Sequence, residues 1–301
     1  MRRLTVFTIG IVLLAQGLAA AAKNGKPDPS EMRTIEDVVY AKVGDRELHM
    51  DLALPKEQPS KPLPAIVWIH GGGWQSGSHK QNKAAKFVGS GYVAASVEYR
   101  LTGEAAFPAQ IQDCKAAIRY LRANAKTYGI DPDHIGVWGG SAGGHLVALM
   151  GTTNDLKALE GNYGSVGVSS RVQAVCDFFG PTDLTSPASV NLREPGPVAK
   201  FLGGPREQKM EVARMASPMH HITKDAAPTL IVHGDKDPLI PMAQSEMFYD
   251  ALRRIGVPTA FIKVKNAGHG FGGGNKTDQY PSADKIDQKV LQFFDKYLKA
   301  F

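Results

Sequence analysis

The chain has 301 residues, of which 43% are hydrophobic and 21% charged, with a formal net charge of +6 at pH 7. That length holds one large α/β domain or two small ones, and the composition excludes an extensively disordered chain. The positive charge is mild and evenly spread, which argues against nucleic acid as a partner.

Arg2 and Arg3 precede an apolar run from Leu4 to Leu18, followed by Ala19-Ala20-Ala21-Ala22 and then Lys23-Asn24-Gly25. A charged start, an apolar stretch and a small-residue zone read as a secretory signal peptide over 1–22, cleaved near Ala20 or Ala22. The mature protein is then expected to be secreted or periplasmic. Leu4–Ala22 is almost long enough to span a bilayer, but Gly10, Gln16 and Gly17 weaken it, so no stable membrane partner is expected. Cys114 and Cys176 are the chain's two cysteines. In an oxidising compartment they form one disulfide or stay as two buried thiols, and their spacing does not choose between these.

Residues 23–34, with Pro27, Pro29 and Ser30, read as a linker, and 35–301 as a single domain. Strand-like runs follow at Ile35–Ala41, Glu47–Leu54, Ala65–His70 and Tyr92–Tyr99, with a helix expected over Lys83–Ser90. Pro108–Tyr128 carries Ile111, Cys114, Ile118 and Leu121 at helical spacing, with Pro108 at its start, where a missing N–H is harmless. A strand ending at Gly139, a helix from Ala142 and a strand over Val172–Phe178 come next. The stretch 181–227 contains Pro187, Pro195, Pro197, Pro205 and Pro218 and no strand signal, so it reads as a small cap-like insertion over the end of the sheet. Alternation resumes with strand Thr229–His233, helix Met242–Ile255, strand Thr259–Val264 and helix Ala283–Leu298. Strands alternating with helices predict a mostly parallel central sheet with helices on both faces.

Three segments that follow strands carry chemistry. Gly139-Gly140-Ser141-Ala142-Gly143 fits G-x-S-x-G between a strand and a helix, a setting that exposes a serine hydroxyl on a sharp turn. His70-Gly71-Gly72-Gly73-Trp74 follows the strand ending at Ile69. Its glycine amides at Gly72 and Gly73, with the amide of Ala142, can bind an oxyanion. An activated serine also needs a base and an acid to orient it. Gly268-His269-Gly270-Phe271 supplies the base, His269. His233-Gly234-Asp235-Lys236-Asp237-Pro238 supplies the acid, with Asp235 and Asp237 competing. Asp235 suits an Asx turn through its own backbone, and Asp237, farther along the loop, is the preferred partner of His269.

The remaining histidines receive structural readings. His145 packs on the nucleophile helix, His70 supports the glycine turn, and His220 and His221 lack further ligands at metal-binding spacing, so no metal is expected. Gly268–Gly273 formally matches G-x-G-x-x-G, but polar loop and Pro281 follow it instead of a helix, and Gly270–Thr277 resembles a P-loop with Asn275 where the second glycine should be, so no nucleotide cofactor is expected.

On His70–Trp74, Val97–Leu101, Asp113–Ala125, Ile130–Ile135, Gly139–Leu146, Phe179–Asp183, His233–Pro241 and Ala267–Phe271, the chain resembles the α/β-hydrolase family. Within it, the chain is similar to the bacterial feruloyl-esterase-type (BD-FAE) group, related to the hormone-sensitive-lipase-like esterases. The resemblance covers roughly residues 35–300. It implies the α/β-hydrolase fold, with Ser141 as nucleophile, Asp237 as acid, His269 as base, and oxyanion donors from Gly72, Gly73 and Ala142. Relatives cleave feruloyl, acetyl and short acyl esters, and more distant ones cleave formamides or peptides; the large N-terminal propeller of the peptidase branch is missing here.

The expected function is therefore an exported serine esterase acting on small-molecule or polysaccharide-linked esters, with Trp74 and residues of 181–227 lining its pocket. A broad short-chain carboxylesterase is the nearest rival. A catalytically silent binding module is the non-enzymatic one, and it predicts a broken triad, whereas all three positions are filled.

Overall fold

The computed structural model describes residues 32–154, 156–186, 196–272 and 278–299. The expected signal peptide and residues 23–31 of the expected linker lie outside the described residues. Met32–Thr34, which the sequence assigns to the linker, already pair with Ala53–Pro55.

One eight-stranded sheet runs through the molecule in the order β1-β2-β4-β3-β5-β6-β7-β8. Its strands are β1 (Met32–Val43), β2 (Arg46–Pro55), β3 (Leu63–Ile69), β4 (Val93–Val97), β5 (Ile130–Gly140), β6 (Ala174–Phe178), β7 (Thr229–Gly234) and β8 (Thr259–Val264). β1 and β2 form an antiparallel edge, and every pair from β4 through β3 to β8 is parallel. The fold is thus the expected α/β-hydrolase arrangement. β4, β6 and β7 are buried along their whole length, which explains why they are mostly apolar on both faces and do not alternate.

Helices α1 (Ala109–Ala123), α3 (Ala142–Thr152) and α6 (Ala243–Arg254) cover one face. Ile111, Ile118 and Leu121 of α1 pack there with Leu146 of α3 and with Val67, Val137 and Val175 of the strands. Phe248 and Leu252 of α6 close over Ile231 beside Ala148. The 3₁₀ turn Lys83–Ser90 and helix α7 (Ala283–Leu298) cover the other face, where Ile286, Val290, Phe294 and Leu298 meet Ile66, Trp138 and Val232.

Two helical expectations are modified locally. Lys83–Ser90 is a 3₁₀ helix, opened by the Asn82 side chain accepting the Ala84 amide and closed by Gly91 at φ 81°. Pro108–Tyr128 divides at Asn124 into α1 and α2 (Ala125–Tyr128). Both the Asn124 side-chain nitrogen (2.9 Å) and its main-chain amide (3.0 Å) donate to the Tyr120 carbonyl, a local competition that ends the regular helix. The described part of 181–227 carries no strand. It forms α4 (Pro197–Leu202), α5 (Met210–Met215) and 3₁₀ turns, and packs on α3 through Ala216 and on the glycine turn through Pro197.

The register puts the functional loops together. Ile69 pairs with Gly139, Gly140 with Phe178, Phe178 with Val232, and Gly234 with Val264. The segments beginning at residues 70, 141, 179, 235 and 265 therefore all leave the same, carboxyl-terminal edge.

Period-two alternation also decides the cysteines. Cys114 lies in the cluster with α1, and Cys176 points from β6 into the cluster with α7, across the sheet. Both are free and buried, and burial pushes both thiols well above their ordinary range. The native protein is expected to give no reaction with Ellman's reagent and to release both thiols on denaturation; a native protein in which they had already oxidised would contradict this placement.

Candidate active site

β5 ends at Gly140 and α3 begins at Ala142, leaving Ser141 to reverse the chain. It does so at φ 57° and ψ −121°. Sparsely populated backbone of this kind costs about 1–3 kcal/mol and persists only when its surroundings impose it. They do so here through contact. A Cβ on Gly143 would overlap the Ile69 carbonyl oxygen, and one on Gly139 would overlap that of Gly143. The Ser141 amide donates to the Phe178 carbonyl at 2.9 Å, and the Ser141 carbonyl accepts from the His145 amide at 2.9 Å. The backbone is pinned at both ends, so the hydroxyl is the group left to present.

Opposite it stands His269, in a 3₁₀ turn (His269–Phe271) after β8. Its Nε2 lies 3.0 Å from Ser141 Oγ and its Nδ1 2.8 Å from Asp237 Oδ2. An ionised carboxylate only accepts, so Nδ1 carries the proton and Nε2 faces the hydroxyl as an acceptor. Asp237 Oδ1 accepts the amides of Leu239 (2.8 Å) and Ile240 (3.0 Å), and the carboxylate is only 1% exposed. Burial alone would push this acid up. Hydrogen bonds from His233, His269 and the two amides outweigh it and hold the acid well below the usual carboxylate range. The edge of the Phe179 ring packs against His269 at 4.8 Å between centroids.

The glycine turn closes the other side. Gly71 makes the nearest approach, since a Cβ there would stand 2.7 Å from the Gly140 carbonyl oxygen and 3.4 Å from Ser141 Cβ. Gly72 and Gly73 adopt φ 101° and φ 60°, and the Gly72 carbonyl is turned back to accept the amides of Gln75 and Ser76. Among the described residues, no main-chain carbonyl takes up the amides of Gly72, Gly73 or Ala142. Those donors remain for a ligand at the nucleophile.

A family model, BD-FAE, matches residues 50–252, a span that includes the glycine turn, Ser141 and Asp237. The chain belongs to the BD-FAE family. Among curated relatives, it is 32% identical over 241 residues to Esterase LipQ of Mycobacterium tuberculosis, covering 78% of this chain and 56% of LipQ. The chain thus spans about half the length of that relative. Among solved structures, a truncated carbohydrate esterase from gut microbiota matches with TM-score 0.79 and 31% identity, over 91% of this chain and 100% of that one. An acetyl ester-xyloside bifunctional hydrolase from Caldicellulosiruptor lactoaceticus matches with TM-score 0.70 and 27% identity, over 82% and 88%.

The structure places other BD-FAE residues differently from the sequence reading. Trp74, expected along the substrate pocket, is 2% exposed and belongs to the core. Its ring stacks on Phe201 at 4.4 Å and meets His145 edge-on at 5.2 Å, so it clamps the glycine turn between α4 and α3. Asp235 is exposed, and the Asp237 amide, which an Asx turn at Asp235 would hold, donates to the Gly234 carbonyl instead, while Asp237 accepts the Leu239 and Ile240 amides farther along the loop. One carboxylate serves both turn and histidine. His70 donates from Nδ1 to the Gly71 carbonyl at 2.8 Å and stacks on Tyr99, as a support for the turn should. His145 on α3 reaches the Ala216 carbonyl, and His221 the Met215 carbonyl. Among the described residues, Asp37, Asp51 and His79 could bring three ligand atoms together, but the Lys80 ammonium already sits 2.8 Å and 3.2 Å from the two carboxylates.

Sequence reasoning passed over Asp177. This acid is fully buried at the end of β6, where Oδ1 accepts the Gly180 amide and Oδ2 has no partner among the described residues. Burial pushes it up to about 7, against the opposing pull of that amide and His233. Its folded-state pKa exceeds its unfolded one, so the native state binds this proton more tightly. The contribution is present below the ordinary value of 3.8 and is lost as pH rises to about 7. Asp177→Asn is therefore expected to gain thermal stability relative to wild type between pH 5 and pH 8, by on the order of a few kcal/mol. Melting curves that keep the same difference at both pH values would refute it.

Proposed function

We propose that the chain is an exported serine carboxylic-ester hydrolase that works through an acyl-enzyme. Its proposed substrates are short acyl or aryl esters borne by carbohydrate, of acetyl or feruloyl type. The observation that carries the reading is the continuous chain Ser141 Oγ, His269 Nε2, His269 Nδ1, Asp237 Oδ2, with links of 3.0 Å and 2.8 Å, at an edge that also offers free glycine amides.

The chemistry follows from the geometry. Ser141 Oγ attacks the ester carbonyl while His269 Nε2 takes its proton, and the ionised Asp237 stabilises the imidazolium that forms. Charge collects on the former carbonyl oxygen, where the amides of Gly72, Gly73 and Ala142 are ready to donate. Losing one such donor typically costs about a hundred- to a thousand-fold in turnover. His269 then protonates the leaving alcohol, and a water deprotonated by the same nitrogen attacks the acyl-enzyme, releasing the acid and regenerating Ser141.

Export rests on Arg2, Arg3 and the apolar run Leu4–Leu18, and it favours environmental polymers over cytosolic metabolites as the source of esters. The descriptions of two similar structures, a carbohydrate esterase and an acetyl ester-xyloside bifunctional hydrolase, support carbohydrate-borne esters as the substrate class. No cofactor enters any step.

A fluorophosphonate probe should label the mature protein at neutral pH, and Ser141→Ala should abolish both labelling and hydrolysis. Asp237→Asn should lower kcat by about 10⁴-fold, because the histidine loses its correct tautomer. Asp235→Asn should stay within a few-fold of wild type, and the opposite ranking would overturn the acid assignment. For the substrate, rates on methyl ferulate, acetylated xylan and p-nitrophenyl butyrate separate the readings: a clear preference for butyrate would favour a general short-chain carboxylesterase.

A further inference from the structure

His233 sits at the end of β7, fully buried, and is bonded through both ring nitrogens. Nε2 is 3.0 Å from the Ile240 carbonyl and 3.3 Å from Asp237 Oδ2. Both neighbours can only accept, so Nε2 carries a proton. Nδ1 lies 2.7 Å from Ser245 Oγ on α6 and, in the neutral ring, accepts the serine proton. The tautomer is therefore set by the fold, and it is the one that donates towards the carboxylate beneath His269.

Three groups donate outright to Asp237: the Leu239 and Ile240 amides to Oδ1 and His269 to Oδ2. His233 Nε2 adds a longer, shared contact to Oδ2 at 3.3 Å, its proton lying between that oxygen and the nearer Ile240 carbonyl. The bonds also form a closed loop, because Ile240 donates its amide to Asp237 and accepts, through its carbonyl, from the same His233 nitrogen that reaches Asp237. We propose that His233 is a positioning residue for the triad, fixing the plane of the Asp237 carboxylate and transmitting the anchor of Ser245 on α6 to His269. The proposal rests on the esterase reading of the same site.

Two substitutions divide the role between its two nitrogens. A glutamine amide reaches the place of Nε2, so His233→Gln keeps a donor at Asp237 and gives up Ser245. An asparagine reaches only the place of Nδ1, so His233→Asn keeps an acceptor for Ser245 and gives up Asp237. Positioning predicts that His233→Asn loses kcat on p-nitrophenyl acetate with little change in KM, by roughly 2- to 100-fold, the span of coupling between contacting groups. His233→Gln should recover most of it. In an Asp237→Asn background the further loss from His233→Asn should vanish, because the group being positioned has changed.

Thermal melts accompany each variant. If His233→Asn keeps wild-type kcat, or if its loss multiplies unchanged onto that of Asp237→Asn, His233 supports the fold alone and the proposal fails. Recovery by asparagine and not glutamine would also overturn it. Wild-type protein that takes up no fluorophosphonate would remove the esterase reading itself, an outcome distinct from these.

Discussion

The site depends on one steric constraint: the crossing of β3, β5 and α3 at Ser141 is too close for side chains. The Ile69 carbonyl oxygen occupies the place of a Cβ on Gly143, the Gly143 carbonyl that of one on Gly139, and the Gly140 carbonyl that of one on Gly71. A chain that passes so tightly has a single residue in which to turn, and that residue takes φ 57°. The strain is held by the sheet on one side and α3 on the other. The same closeness that fixes the serine brings the glycine turn and Ala142 beside it, so the proposed nucleophile and the proposed oxyanion donors come from one packing event.

Two buried acids at the same edge show how hydrogen bonds decide charge. Asp177 ends β6 with one amide donor and one bare oxygen, and desolvation wins. Asp237 follows β7 with three donors and the nearby His233 ring, and hydrogen bonding wins. Asp177 also lies deeper, so both its burial and its single donor favour the neutral acid, whereas the donors around Asp237 favour the carboxylate. That difference leaves Asp237 an ionised acceptor beside His269 Nδ1, as the proposed mechanism requires.

Much of this was readable from the chain because it is local. The sequence places the last helix at its observed limits, Ala283–Leu298, where Ile286, Val290, Phe294 and Leu298 form the buried stripe, and Thr259–Val264 is a strand with the same ends. The G-x-S-x-G turn could be placed because strand, glycine and helix signals are adjacent in sequence. The packing of Trp74 was not readable for the opposite reason: its neighbours Phe201 and His145 are remote in sequence, and an aromatic beside a glycine turn looks the same whether it faces a pocket or the core. Likewise, turn chemistry made Asp235 plausible as the loop's own ligand, while the fold gave that duty to Asp237.

The sequence alone determined which elements form and which side chains end at strand tips, since propensity and period act over a few residues. Tertiary structure decided which of those tips meet. Ser141 and His269 are 128 positions apart, and His269 and Asp237 are 32 apart. Only the parallel register of β3, β5, β7 and β8 carries them to one edge. It also set Cys114 and Cys176 on opposite faces of the sheet and placed His233 behind Asp237. Those relations depend on how strands stack side by side, which no short stretch of chain encodes.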